Sequence, residues 1–176
     1  NASEEIKPTE SKPNDSEPKS DGIAFEELVV VDNDECTVKI TGIEPDNMWG
    51  YTLKVNLENK SADKTYMFST QSGAVNGVEF DPFFATEVAP GKKSNNDISF
   101  MDDTLKNNGI NEFTDIELTF KVYDTNDWTS DPVALETVHV YPLGEEKATK
   151  FVRESQSTDT VLIDDENVYI VVMGYT

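Results

Sequence analysis

Cys36, Val38 and Ile40 alternate with Thr37, Lys39 and Thr41, a period of two that predicts a strand with one buried face. Tyr51, Leu53, Val55 and Leu57 alternate in the same way with Thr52, Lys54 and Asn56, and Tyr66-Met67-Phe68 predicts a third strand. Further strands are expected over Phe83 to Val88, ended by Pro90-Gly91, and around Ile98 and Phe100. Ile116, Leu118, Phe120 and Val122 form the next alternating run, and Val138 and Val140 another. Asn76-Gly77 between short apolar flanks is a two-residue hairpin signal, because both central positions need positive φ. One short helix is expected between the strands, capped by Asp102 or Asp103, with Leu105 inward and Asn108-Gly109 as a left-handed stop.

Short strands at this spacing, separated by turn residues, predict an all-β antiparallel sandwich of two sheets. The intervening helix is too short for a parallel crossover. The chain also carries an internal echo. Val29 to Gly42 aligns without gaps on Val161 to Gly174, a fixed offset of 132 residues, with identity at Val29/Val161, Asp32/Asp164 and Gly42/Gly174. Each half reads as an apolar triplet, an acidic turn, a strand and a glycine. This predicts a module of about that length and the opening of a second one.

Residues 1–22 read differently. Pro8, Pro13 and Pro18 recur every fifth position among Lys, Glu, Ser and Asp, and only Ile6 offers appreciable apolar area. Such a segment cannot offset the entropy of ordering, and proline favours extended conformations, so a disordered tether is expected. The expected organisation is a tether at 1–22, a sandwich at 23–141, a connector at 142–160, and a β segment at 161–176. That last segment either starts a second repeat or pairs with a sheet edge. The edge would lie in this chain or in a second copy, giving a homodimer through 161–173.

Fourteen Lys and Arg against 35 Asp and Glu give a net charge of −21. That field repels nucleic acid and anionic lipid headgroups, so neither is an expected partner. Cys36 is the only cysteine, which excludes an intramolecular disulfide and a multi-cysteine zinc site. No apolar run reaches the 18 residues a spanning helix needs, and no signal-peptide core is apparent; either a mature or trimmed chain or a cytosolic one is expected.

The run Trp49-Gly50-Tyr51-Thr52-Leu53-Lys54-Val55-Asn56-Leu57-Glu58-Asn59-Lys60, followed by Val75-Asn76-Gly77 and Pro90-Gly91-Lys92, resembles the immunoglobulin-like domains of uncharacterised Gram-positive surface lipoproteins. The resemblance spans residues 27–141 and, through the repeat, 161–175. It implies an immunoglobulin-like sandwich, an extracellular and surface-anchored location, and a lipid anchor upstream of this chain. The anchoring cysteine itself is not among these residues. No catalytic residue is carried over.

Candidate chemistry is sparse. His139, the only histidine, is out of phase with Val138 and Val140 and should face solvent. Cys36 is in phase with Val38 and Ile40 and should face the core. A Cys–His pair needs both groups within hydrogen-bond reach, so no catalytic residue is assigned. Acidic runs at 32–35 and 164–167 offer oxygen ligands of the kind calcium takes, but Asp and Asn in turns cap their own backbone. The stretch from Asp124 begins like a calcium loop yet lacks the sixth-position glycine and the twelfth-position glutamate. No metal and no cofactor is expected.

For ligand binding the candidates are Trp128 with Asp124, Asn126, Asp127 and Asp131, since an aromatic face ringed by carboxylates and an amide suits sugar stacking. Phe80, Phe83 and Phe84 are expected in the core, as is Trp49. The leading expectation is a non-catalytic surface module that binds a protein or acts as a spacer in a tandem string. A carbohydrate-binding module using Trp128 is the alternative, with a glycan at the cell surface as its partner. A secreted hydrolase is the third class and would require a pocket with perturbed carboxylates.

Overall fold

The computed structural model describes residues 23–101, 105–106 and 109–173. The tether, the caps expected at Asp102 or Asp103, Asn108 and Gly174 lie outside the described residues. One sheet carries β1 (Leu28–Asp32), β2 (Cys36–Asn47), β3 (Gly50–Asn59) and β7 (Lys93–Phe100), in that spatial order. The other carries β5 (Val78–Glu79) and β6 (Ala85–Val88) on one side of β4 (Tyr66–Val75). On the other side of β4 stand β8 (Ile116–Asp124) and then β9 (Ala134–Val140). All pairings are antiparallel. Crossovers from β3 to β4, from β6 to β7 and from β7 to β8 change sheets. The expected all-β antiparallel sandwich of two sheets is what forms.

The alternation read from the sequence sets the core. Cys36, Val38 and Ile40, then Leu53, Val55 and Leu57, face Phe68, Leu118, Phe120 and Val122, all in one buried cluster. At about 25 cal/mol per Å², burying each of these side chains contributes roughly 1.5–3 kcal/mol before entropy is counted.

The Asn76-Gly77 turn joins β4 to β5 with Val75 opposite Val78 and φ of 50° and 79°, the expected two-residue hairpin. Asn76 is also a buried hub. Its Oδ1 accepts from the Thr114 amide and hydroxyl, both at 2.9 Å, and from the Asp115 amide at 3.1 Å; its Nδ2 donates to Glu112 O at 2.7 Å. The left-handed stop also forms at Gly109, φ 85°. The Gly109 amide bonds Lys106 O and the Ile110 amide bonds Leu105 O, a Schellman closure with Leu105 and Ile110 buried together.

Three expectations fail. Trp49 is not core. Asn47 pairs with Gly50, so Met48 and Trp49 form the tip of the β2–β3 hairpin beyond the end of the sandwich, where Trp49 is 67% exposed. Phe83 is not core either. The Phe83 amide donates to Asp81 Oδ1 at 2.9 Å, and this turn holds Phe83 at φ 41° with its ring in solvent. The strand expected from Phe83 therefore starts only at Ala85, while Phe84 is buried and Phe80 stacks on Phe100 at 5.6 Å. Thirdly, of the arrangements expected for residues 161–173, pairing with a sandwich edge of this same chain does not form among the described residues. These residues close on themselves as β10 (Thr160–Asp164) and β11 (Tyr169–Val172), a separate two-stranded sheet.

That hairpin repeats β1–β2 in detail. β1 and β2 pair Leu28 with Ile40 and Val29 with Lys39, then, after a bulge, Val31 with Val38 and Asp32 with Thr37. β10 and β11 pair Thr160 with Val172 and Val161 with Val171, then, after a bulge, Ile163 with Ile170 and Asp164 with Tyr169. Every pair is displaced by the same 132 residues. The turns match as well. Asn33 Oδ1 accepts from the Glu35 and Cys36 amides at 2.9 and 2.8 Å. Asp165 Oδ1 accepts from the Asn167 and Val168 amides, both at 2.8 Å. A shared bulge position is not a generic property of hairpins.

The connector is partly docked. Thr149 Oγ1 lies 2.9 Å from Thr114 Oγ1, the Phe151 amide donates to Asn76 O at 2.7 Å, and the Phe151 ring lies against Gly109.

Candidate functional site

The loop from Thr125 to Val133 links β8 to β9 and holds the expected ligand-binding residues. Its conformation follows from its Asp and Asn content. The Asn126 amide donates to Asp124 Oδ1 at 2.9 Å and the Asp127 amide to Asp124 O at 3.1 Å. Thr129 Oγ1 donates to Asp127 Oδ1 at 3.1 Å, and Ser130 Oγ to Asp127 O at 2.9 Å. Asp124 Oδ2 also lies 3.8 Å from Lys64 Nζ. The structure thus gathers Asp124, Asn126, Asp127 and Trp128 in consecutive turns, but commits both capping carboxylates to the loop itself. Asp131 is exposed at the far side of the loop. Trp128 stands 72% exposed, an open aromatic platform.

The acidic turn after β1 sits at the same end of the sandwich. Asn33 Nδ2 donates to Val133 O at 3.2 Å, and Lys60 Nζ donates to Asp32 Oδ1 and Asn33 O, both at 2.7 Å. Lys60 and Thr37 together hold the Asp32 carboxyl below its usual range. These contacts make the acidic runs structural turns. Among the described residues no group of three or more His, Cys, Asp or Glu side chains is placed to hold a metal.

Cys36 and His139 fall on different sheets. Cys36 is fully buried on β2, and desolvation pushes its thiol up to about 11. A thiol so placed is a poor nucleophile. His139 is exposed on β9, its Nδ1 2.7 Å from Asp115 and its Nε2 3.5 Å from Glu117, with its ring stacked on Tyr141. Both ring nitrogens face carboxylates, and with Cys36 on the other sheet the two side chains do not form a nucleophile–base pair. The sequence placed His139 outward but did not reveal these partners. Glu117 is its cross-strand neighbour, which the alternation of β8 and β9 contains once the register is known.

The sequence reading also missed a concavity at the opposite end of the sandwich. Tyr51 and Phe113 stack at 4.0 Å, and Ile110, Lys106 and Pro142 are among the other residues lining about 270 Å³. That volume is below the ~300–1,000 Å³ of typical small-molecule sites. Comparison with known protein families, with curated proteins and with solved structures finds no match to this chain.

Proposed function

We propose that this chain is a non-catalytic module of an extracellular, surface-anchored lipoprotein, serving as a protein-binding unit or spacer in a tandem string. The observation that carries the reading is the recurrence of the β1–β2 hairpin as β10–β11, with the same pairs, bulge and turn bonds. A module that begins again at a constant interval is a unit of a repeated array. The buried thiol and its separation from His139 on the opposite sheet support the non-catalytic part. The net charge of −21 favours solubility and a basic or neutral partner.

The test is a graft. Joining a second copy of residues 43–151 directly after Gly174 gives β10–β11 the rest of a sandwich. The expected product has a second cooperative unfolding unit and slow amide exchange in residues 161–173. A graft that stays unfolded beyond Gly174 overturns the tandem reading.

A second reading, a carbohydrate-binding module, is favoured by one observation, the 72% exposure of Trp128 in its polar loop. Titration with soluble glycans, followed by tryptophan fluorescence in the parent and in Trp128→Ala, separates the two. A saturable change lost in the variant establishes sugar binding, and a flat response removes it.

A further inference from the structure

In the sandwich, the inner face of the β1–β2 hairpin is covered. Val31, Cys36, Val38 and Ile40 are at most 5% exposed. Their counterparts one interval on are Ile163, Val168, Ile170 and Val172, which are 42–47% exposed. The backbone is the same and the cover is absent. In the first hairpin the opposite sheet covers that face through Phe68, Leu118, Phe120 and Val122, while the edge of β2 is taken by β3. β3 runs antiparallel along β2, placing Asn59 opposite Cys36, Leu57 opposite Val38 and Val55 opposite Ile40. Among the described residues β11 has no strand on its corresponding edge, since β10 and β11 form a sheet of two.

Charge gives the second, independent observation. One residue past the end of β3, the Lys60 amide donates to Glu35 O at 2.9 Å, and its ammonium grips Asp32 Oδ1 and Asn33 O. The second hairpin repeats that receptor, with Asp164 at the position of Asp32 and the turn bonds of Asp165 matching those of Asn33. Its neighbours Asp165 and Glu166 add further negative charge.

We infer that the free edge of β11 is an acceptor for an antiparallel strand of the β3 kind, apolar at alternate positions and carrying a cation just past its end. Backbone hydrogen bonds along the edge would supply the affinity, and the alternate apolar side chains and the terminal cation the selectivity. Register follows from the first hairpin: the acceptor residues Val168, Ile170 and Val172 meet the positions of Asn59, Leu57 and Val55. The inference rests on the tandem reading for its biological setting, but its chemistry belongs to this hairpin alone.

The probe is a synthetic peptide of residues 50–60, added to the full chain while amide exchange of residues 168–173 is measured. The expected result is slowing of that exchange by about tenfold or more at saturation, with the sandwich unaffected. Peptides carrying Leu53→Ser, Val55→Ser and Leu57→Ser together, or Lys60→Glu alone, should bind more weakly, as should the parent peptide to an Asp164→Asn chain, in which the turn residue Asp165 is kept. Unchanged exchange at millimolar peptide overturns the inference, as does equal protection by the triple-serine peptide. Protection that instead rises with chain concentration, with a dimer by sedimentation and no effect of peptide, makes a second copy the occupant and also overturns it. A graft that folds beside a silent peptide would leave the tandem reading standing and remove the acceptor.

Discussion

The Tyr66 hydroxyl, at the start of β4, donates to the Glu35 carboxylate in the turn between β1 and β2, tying one sheet to the other at the end of the sandwich. Burial first, and this bond second, push the Tyr66 phenol up to about 12. The neutral phenol is the form the folded chain prefers. The unfolded chain loses its proton near 10 and the folded chain near 12, so the contribution is intact below pH 10 and is lost as pH rises to 12. Tyr66→Phe should cost about 1.5–3 kcal/mol at neutral pH, as expected for a lost hydrogen bond to a charged group. It should also flatten the alkaline limb of a stability–pH curve. A variant as stable as the parent, with the same alkaline limb, would show that the bond contributes nothing.

Cys36 behaves as a core side chain and not as a reactive thiol. Its ionisation is raised from 9.0 to about 11, so its stabilising contribution is complete below pH 9 and fades as pH climbs through 11. At pH 8 a bulky thiol reagent should label the native chain only at the rate of global unfolding. Rapid labelling under native conditions would place Cys36 on the outer face and move the β2 register by one residue.

The Asn76 side chain ties the β4–β5 turn to the segment entering β8. Asn76→Ala leaves the Thr114 and Asp115 amides without their acceptor, and should cost at least ~2 kcal/mol. Gly77→Val, at φ 79°, should cost about 1 kcal/mol or more, because a β-branched residue resists that conformation. Urea unfolding measures both, and a Gly77→Val midpoint equal to the parent's would disprove the strain argument.

Arg153 holds Asp159 with two hydrogen bonds, both at 2.7 Å, and the Gln156 amide adds a third. The Asp159 carboxyl is held down to about 2, first by Arg153 and then by Gln156. The pairing is therefore present above the ordinary aspartate range and is lost as pH falls from about 4 toward 2. Carboxyl NMR titration should place Asp159 near 2 in the parent and raise it in Arg153→Gln. Identical titrations would show that the pair does not persist in solution.

Trp128→Ala should leave stability within ±0.5 kcal/mol of the parent, since surface positions without buried partners rarely exceed that. A loss beyond about 1 kcal/mol would mean the indole packs back on the sandwich.

Strand phase was the most legible property of the sequence. Alternation placed Cys36 inward and His139 outward, and Asn76-Gly77 located a hairpin to the residue. Phase says nothing about where the sandwich ends, so it does not reveal that Trp49 and Phe83 stand in turns set by Asn47 and Asp81. The Trp128 loop was legible as residue content, but not as hydrogen bonding, because the same Asp and Asn side chains suit a ligand or their own backbone equally well. His139's carboxylate partners depend on cross-strand register, which no local pattern encodes.

The docked part of the connector has a mechanical consequence. Residues 142–151 stay with the sandwich through Thr149 and Phe151. Only residues 152–159 remain as slack before β10, a span that extends to about 26–29 Å at most, and the Arg153–Asp159 clasp takes up much of it. In a string of such modules, tension would open that clasp first. It would next reach the hydrogen bond from the Phe151 amide to Asn76 O and the Thr149–Thr114 bonds, and only afterwards the long β8–β9 ladder. Were the proposed tandem reading correct, the joint would act as a short spring in series with a stiff body, lengthening under load while each sandwich stays folded.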